Sequence, residues 1–196
     1  NIQARVRSPG IWLVANLKNA ILLNTSNRSE AAVGYTTMDG DSSGGLNPIG
    51  GIDKNFLREW LHWLATKGPA GLGAVAGLDQ VNAIAPTAEL RPPEQRQQDE
   101  VDLMPYDILD KLEEWAIRDK DAPADVLEKL NVHYPDLGPD QARQYVTKFF
   151  RLWAQNQWKR ERLAPSFHLD DTNLDPKTWC RFPILSGGFQ DELKKL

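Results

Sequence analysis

The sequence predicts an α/β fold weighted towards helix, in which one strand of a parallel sheet leads into a long ligand-facing loop. Three observations predict it. Residues 20–25, AILLNT, are an apolar run without alternation, the pattern of a strand buried in a parallel sheet. Residues 27–54, NRSEAAVGYTTMDGDSSGGLNPIGGIDK, are dense in Gly, Ser, Thr and Asp. They far exceed the usual connection of about 4–6 residues, so they read as a binding loop or as disorder. From about residue 104 to 162 the chain follows helical periodicity. One strand is not a sheet, so neighbours are expected from outside these residues. The opening NIQARVR, without an initiator methionine, fits the same expectation of a fragment.

Taken in order, residues 11–17 (IWLVANL) read as an apolar helix. Ser8 and Pro9 are either its cap and first turn, or Pro9 kinks a helix that began earlier. The strand and the polar loop follow. Asp53 is the expected N-cap of KNFLREWLHWLATKG, whose Leu57, Trp60, Leu61 and Leu64 share a face and which Gly68-Pro69 stops. Residues 68–100 are mostly loop, rich in Gly and Pro. MPYDILDKLEEWAIRD is a helix with Leu109, Leu112, Trp115 and Ala116 on one face. ADVLEKL is a short helix. Gly138-Pro139 opens one long helix through QARQYVTKFFRLWAQNQWKRER, with Ala142, Val146, Phe149, Phe150 and Trp153 inward. Residues 164–196, broken by Pro165, Pro176 and Pro183, form an irregular tail.

The 196 residues are enough to bury roughly 70% of their unfolded surface. A net charge of −4 argues against a general nucleic-acid binder. The single cysteine, Cys180, excludes a disulfide framework or a multi-cysteine zinc site and makes a reducing, cytoplasmic setting the expectation. No apolar run approaches the roughly 20 residues of a membrane span.

The chemistry-bearing residues cluster after the strand. Ligands of open α/β sheets bind beyond the carboxyl ends of strands, where Thr25 stands. SEAA beside it can open a helix with Ser29 as cap and N–H groups free for an anion. Glu30 is then either a solvated first-turn residue or a carboxylate beside phosphates, the latter calling for Mg²⁺. Lys54 is either an exposed first-turn lysine or a charge reaching back to phosphate. Arg5 and Arg7 share a face only on a strand. The run Arg143, Lys148, Arg151, Lys159, Arg160 and Arg162 is a solvated helix face or, beside a cleft, an attractor of phosphorylated ligands. LSGGF at 185–189 has its Asp one place too late for an SGGxDS phosphate loop and reads as a turn. Cys180 lacks a nucleophile signature, and His62, His133 and His168 lack metal-ligand spacing.

Taken together, NIQARVR, NTSNRSEAAVGYTTMDGDSSGGLNPIGGIDK, APTAELRP, PYDILD and WKRERLAP resemble the C-terminal part of NAD synthetase. That family comprises ATP-dependent, amide-forming ligases. The pattern T-x-x-x-x-E-x-x-x-G-Y-x-T-x-x-G-D with a following Lys is specific. The tail TWCRFPILSGGF is similar to the longer, glutamine-dependent members. The resemblance implies a Rossmann-like parallel-sheet ATP-pyrophosphatase domain (adenine nucleotide alpha hydrolase-like), with residues 1–163 its C-terminal part and 164–196 a tail. It implies that Thr25 and Thr87 contact ATP and Lys54 its phosphates. Glu30 holds Mg²⁺ or contacts the nicotinate side of deamido-NAD. Asn1, Arg5, Tyr35, Thr36, Thr37, Met38, Asp41 and Lys159 line the deamido-NAD site. Ammonia-dependent members commonly carry Lys where Met38 stands, Asp at Gly45 and His at Trp158, which favours the glutamine-dependent branch. The implied chemistry is ATP-dependent conversion of deamido-NAD to NAD through an adenylate, in a homodimer or higher homo-oligomer joined through apolar helices. The family's SGGxDS loop and glutaminase domain are expected upstream. A rival reading makes the chain a helical binding module that docks RNA or an acidic partner through its 143–162 basic helix.

Overall fold

The computed structural model describes residues 2–84 and 99–196. The first helix, α1 (Ile2–Leu17), carries Pro9 inside it, so the kinked-helix alternative holds and Ser8 is not a cap. Ser8 instead turns inward and its Oγ bonds Ser43 Oγ at 2.7 Å. Only Ala4, Ser8 and Ala15 of α1 are buried, leaving its large apolar side chains exposed. Arg5 and Arg7, being helical, point different ways.

Residues 20–25 correct the expectation of a buried strand. Among the described residues no strand longer than an isolated bridge forms; Leu23 makes one parallel bridge with Leu46. Ile21 and Leu23 are 66% and 50% exposed. The physical reason is the missing partners: a parallel strand is buried only when neighbours and helices cover both its faces.

The polar loop contains α2 (Arg28–Val33), and its cap is Asn27 rather than Ser29. Asn27 Oδ1 accepts from Glu30 N at 2.9 Å while Glu30 Oε2 accepts from Asn27 N at 3.3 Å, a reciprocal capping box. Arg28 N donates to Ile52 O, so these first-turn donors are used rather than free for an anion. Gly34 ends α2 in the left-handed region at φ 65°, against the side chain of Asn156. Asp53 caps α3 (Lys54–Thr66) as expected, accepting from Phe56 N at 2.7 Å. Of its apolar face only Leu57 is buried; Trp60 is 38% exposed. Two short helices follow, α4 (Leu78–Asn82) and α5 (Asp99–Asp102).

The core lies among the remaining helices. In α6 (Tyr106–Glu113), Leu109 and Leu112 are fully buried. A π-helical turn over Glu114–Arg118 continues it. Its three successive residues Trp115, Ala116 and Ile117 are all buried. Next come α7 (Pro123–His133), longer than expected, and α8 (Pro139–Gln155). Val126, Leu130, Ala142, Val146, Phe149, Phe150 and Trp153 pack with Ala32 and Val33 of α2 in one cluster. Each large side chain so buried contributes about 1.5–3 kcal/mol.

The long terminal helix is two helices. It breaks at Asn156, whose Nδ2 donates to Val33 O at 2.9 Å, before α9 (Gln157–Arg160) resumes. The tail folds back over the core. Phe182 and Phe189 meet Trp153 and Phe150 edge-on, each at 4.8 Å between ring centroids, and α10 (Gln190–Leu193) closes the chain.

Candidate active site

The loop after α1 is shaped by short polar side chains. Buried Asn24 donates to the carbonyls of Asp41 and Ser43 at 2.5 and 3.2 Å and accepts from Ser26 N at 2.8 Å. Asn47 donates to Ser26 O at 2.8 Å. Such local bonds are what Asn and Ser supply in place of a sheet ladder.

This scaffold brings together most of the residues expected at the substrate. Thr37 N–H donates to Asp41 Oδ2 at 3.0 Å. Arg5 reaches across from α1 and donates through Nε to Met38 O at 3.1 Å. Lys159 arrives from α9, its Nζ donating to Gly34 O at 2.6 Å. Burial pushes the Lys159 ammonium below its ordinary pKa while Asp41 opposes the shift. Thr36 is buried and its Oγ1 has no hydrogen-bond partner among the described residues. A buried hydroxyl left unpaired costs roughly 1–3 kcal/mol. Tyr35 points elsewhere, its hydroxyl bonding Asp102 Oδ2 at 2.9 Å.

Glu30 and Lys54 form a second group, with Lys54 Nζ 3.6 Å from Glu30 Oε1. Glu30 Oε1 also accepts from Asn27 Nδ2 at 2.7 Å. Thr25 is exposed on the stretch leading into α2. Asn1 and Thr87 lie outside the described residues, as does the motif at 85–92.

The residue that sequence reasoning missed is Arg28. It is buried, and four carboxylates surround it: Glu113 at 2.9 Å, Asp170 at 2.9 Å, Asp53 at 3.3 Å and Asp110 at 3.5 Å. Its Nη1 also donates to Gly51 O at 3.2 Å. Burial drives the Glu113 carboxyl up to about 7 against the pull of Arg28, and one of its oxygens has no partner. Asp110 rises to about 6, through burial and then repulsion from Asp53. No sequence signal could have found this cluster, because its members are separated by up to 142 positions.

Part of the basic run is turned into the fold. Lys148 donates to the carbonyls of Asp102 and Leu103, and buried Arg160 to those of Ala31, Ala32 and Trp153. These cations satisfy helix-end carbonyls inside the fold, while Arg143 and Arg151 stay exposed on α8; nothing found supports the RNA-docking reading. Burial raises the Cys180 thiol, consistent with an inert cysteine. The 185–189 segment is a turn, with Gly188 N donating to Ser186 Oγ at 3.1 Å.

A family model described as NAD synthase matches residues 1–162. The chain belongs to the NAD synthase family. A glutamine-dependent NAD(+) synthetase of Aquifex aeolicus is 32% identical over 190 residues, covering 97% of this chain and 30% of that protein. One from Rhodobacter capsulatus is 33% identical over 168 residues, covering 84% and 28%. The crystal structure of a glutamine-dependent NAD(+) synthetase from Cytophaga hutchinsonii superposes with a TM-score of 0.78 at 46% identity, covering 99% of this chain and 29% of that one. The chain thus spans under a third of these NAD synthase relatives. No helix among its described residues is long and apolar enough to cross a membrane.

Proposed function

We propose that these residues form the C-terminal part of the synthetase domain of a glutamine-dependent NAD synthetase, with residues 1–163 in the domain and 164–196 its tail. The single observation that carries this reading is that Arg5, Asp41 and Lys159 are all held against the 34–41 segment, through Met38 O, Thr37 N and Gly34 O, in a chain of this family. The exposed edge at Ile21 and Leu23 then belongs to a Rossmann-like parallel sheet whose other strands lie outside these residues.

A carboxylate resists amination because its carbon is electron-rich and oxide is a poor leaving group. ATP solves this. A nicotinate oxygen of deamido-NAD attacks the α-phosphorus, the bond to pyrophosphate breaks, and a mixed anhydride with AMP forms. Ammonia derived from glutamine attacks the carbonyl carbon, AMP leaves with the electron pair, and a proton is lost to give the amide of NAD. Lys54 holds ATP phosphates, Thr25 and Thr87 contact the nucleotide, and Lys159 and Arg5 answer the phosphates of deamido-NAD. Asn1, Thr36, Thr37 and Met38 line that substrate, Tyr35 with its backbone because its hydroxyl is held by Asp102, and Asp41 orders the loop. Such fixed positive groups lower the barrier because they need no reorganisation as charge develops.

Among the described residues no group of three acidic, His or Cys side chains could cage a metal. Glu30 alone therefore fits Mg²⁺ only as one ligand of an ion carried largely by phosphates and water, the usual manner for this ion. When bound, Mg²⁺ neutralises phosphate charge; Glu30 positions it or contacts the nicotinate side. A cytoplasmic setting supplies ATP and keeps Cys180 reduced. We assign the exposed apolar faces of α1 and α3 to contacts within a homodimer or larger homo-oligomer and with the rest of the domain.

The test uses the full-length polypeptide carrying this chain. With deamido-NAD, ATP, Mg²⁺ and glutamine it makes NAD, and Lys159→Met raises KM for deamido-NAD about tenfold or more with a smaller change in KM for ATP. A purified, folded protein that forms no NAD with glutamine or ammonia overturns the reading.

A further inference from the structure

The Arg28 cluster adjoins both members of the Glu30–Lys54 pair, and one of its members belongs to the tail. Arg28 lies two residues before Glu30, and Asp53 immediately precedes Lys54. Its guanidinium bonds Asp53, the cap of α3, and the Gly51 carbonyl, while Arg28 N–H bonds Ile52 O. Ser29 Oγ accepts from Lys54 N at 3.0 Å. The starts of α2 and α3 are thereby fixed to each other, and with them the 3.6 Å pair of Glu30 and Lys54.

The tail completes the clamp. Asp170 chelates Arg28 Nη1 with both oxygens, at 3.1 and 2.9 Å, and its Oδ1 also accepts from Thr172 N at 2.8 Å, bending the tail at that point. Upstream of it, Asn47 N bonds Pro165 O at 2.8 Å, and Asn47 pairs with Ser166 in a parallel bridge. At Gly51 a Cβ would stand 2.2 Å from Phe167 O, so the tail's backbone presses on the loop where only glycine leaves room. Leu174 is buried in the core and anchors the far end.

We infer that Arg28 and Asp170 are positioning residues: the 165–174 segment is a strap that, through their ion pair, holds Glu30 and Lys54 in register for the ATP-dependent step. The strap acts through the loop and touches no substrate itself. Its catalytic consequence rests on the function proposed above, whereas the strap itself is a matter of this fold.

Asp170→Asn in the full-length enzyme is the discriminating change, because the Asp170 side chain is half exposed and Arg28 keeps three other carboxylates. Amide hydrogen exchange tests the strap without reference to activity. The N–H groups of Asn47, Arg28 and Lys54 should exchange about fivefold or more faster in Asp170→Asn, with the core amides of α8 unchanged. Unchanged exchange at those three positions overturns the strap. Where wild type makes NAD, kcat for adenylate formation, read by ATP–pyrophosphate exchange, should fall about tenfold in Asp170→Asn. KM for deamido-NAD should stay within about twofold, and Asp170→Glu should restore part of the rate. Faster exchange with an unaltered kcat overturns the positioning role. A wild-type protein without synthetase activity overturns the proposed function, and exchange still decides the strap.

Discussion

Glu30 and Lys54 are partly buried and face each other across the mouth of the loop, an arrangement that predicts different outcomes for the two side chains. Gln at position 30 still serves a capping box, so Glu30→Gln should keep the fold. Turnover in the full-length enzyme should fall at least about tenfold, near 1.4 kcal/mol of barrier. Wild-type rates at saturating Mg²⁺ and ATP would leave Glu30 a cap and nothing more. Lys54→Ala removes one ion pair of modest value, so thermal stability should move by no more than about 0.5–1 kcal/mol. Adenylate formation should nonetheless slow at least tenfold by the same barrier arithmetic; a normal rate, or an unfolded variant, counts against phosphate binding. Glu113 makes a pH prediction. Around one guanidinium stand Glu113, Asp53, Asp110 and Asp170, and full ionisation would leave excess negative charge in a buried place. The folded carboxyl of Glu113 is raised to about 7 by burial, so the folded state holds a proton that the unfolded chain releases at its ordinary value near 4.5. Its contribution to stability is complete below about 4.5 and is lost as pH rises through about 7, with a slope of at most about 1.4 kcal/mol per pH unit. Denaturant titrations from pH 4.5 to 7 should show this decline in wild type and a flatter profile in Glu113→Gln. Parallel profiles would place the proton elsewhere.

Helix positions along this chain were legible because apolar spacing and caps are local signals; the core residues of α6, α7 and α8 and the Asp53 cap stand where periodicity puts them. What was not legible depends on partners far away in sequence. The cap of α2 is the exception: Asn27 three residues before Glu30 is a local capping-box spacing that the reading of Ser29 as cap passed over. The π turn at Glu114–Arg118 and the break at Asn156 arise from packing and from a long-range bond to Val33, not from a Pro or Gly that sequence would flag. The Arg28 cluster and the inward-turned Lys148 and Arg160 are likewise tertiary choices. Of the candidate site, the loop residues were readable through one long, specific motif, while the side chains that hold that motif in shape were not. The junction of α2 with α9 offers a test of this coupling. Gly34 sits at φ 65°, and an added Cβ would lie 2.4 Å from the Asn156 side chain. Gly34→Ala should therefore destabilise by about 2 kcal/mol or more, from left-handed strain and overpacking together. Gly34→Ala with Asn156→Gly should cost clearly less than the two single changes added, since the second removes the atoms in the way. Strict additivity in urea melts would separate the two positions.

On the scale of the molecule, the buried core and the exposed apolar surface lie in different places. The core gathers α2, α6, α7 and α8 with the tail. Ile2, Val6, Leu13 and Leu17 of α1, Ile21 and Leu23 after it, and Phe56, Trp60 and Trp63 of α3 are all exposed. Apolar side chains left exposed in such number fit the interfaces proposed above, and the relatives matched here extend well beyond the aligned region, with only 28–30% of their length covered. Adenylation requires the attacking carboxylate and the α-phosphate held within about 3–3.5 Å in a fixed geometry. The described residues offer Glu30, Lys54, Arg5 and Lys159 to that geometry, but their SGG sequence is a turn in the tail rather than a phosphate loop. The 196 residues purified as a separate polypeptide should therefore make no NAD from deamido-NAD, ATP and either ammonia or glutamine. Supplying the remaining synthetase residues, in one polypeptide or as a second chain, should restore synthesis with ammonia and cover the α1 and α3 faces, which protection of Trp60 and Trp63 from a fluorescence quencher would report. ATP-dependent NAD formation by the 196 residues alone would show that their own loop, with the 185–189 turn or another phosphate site, completes the geometry unaided.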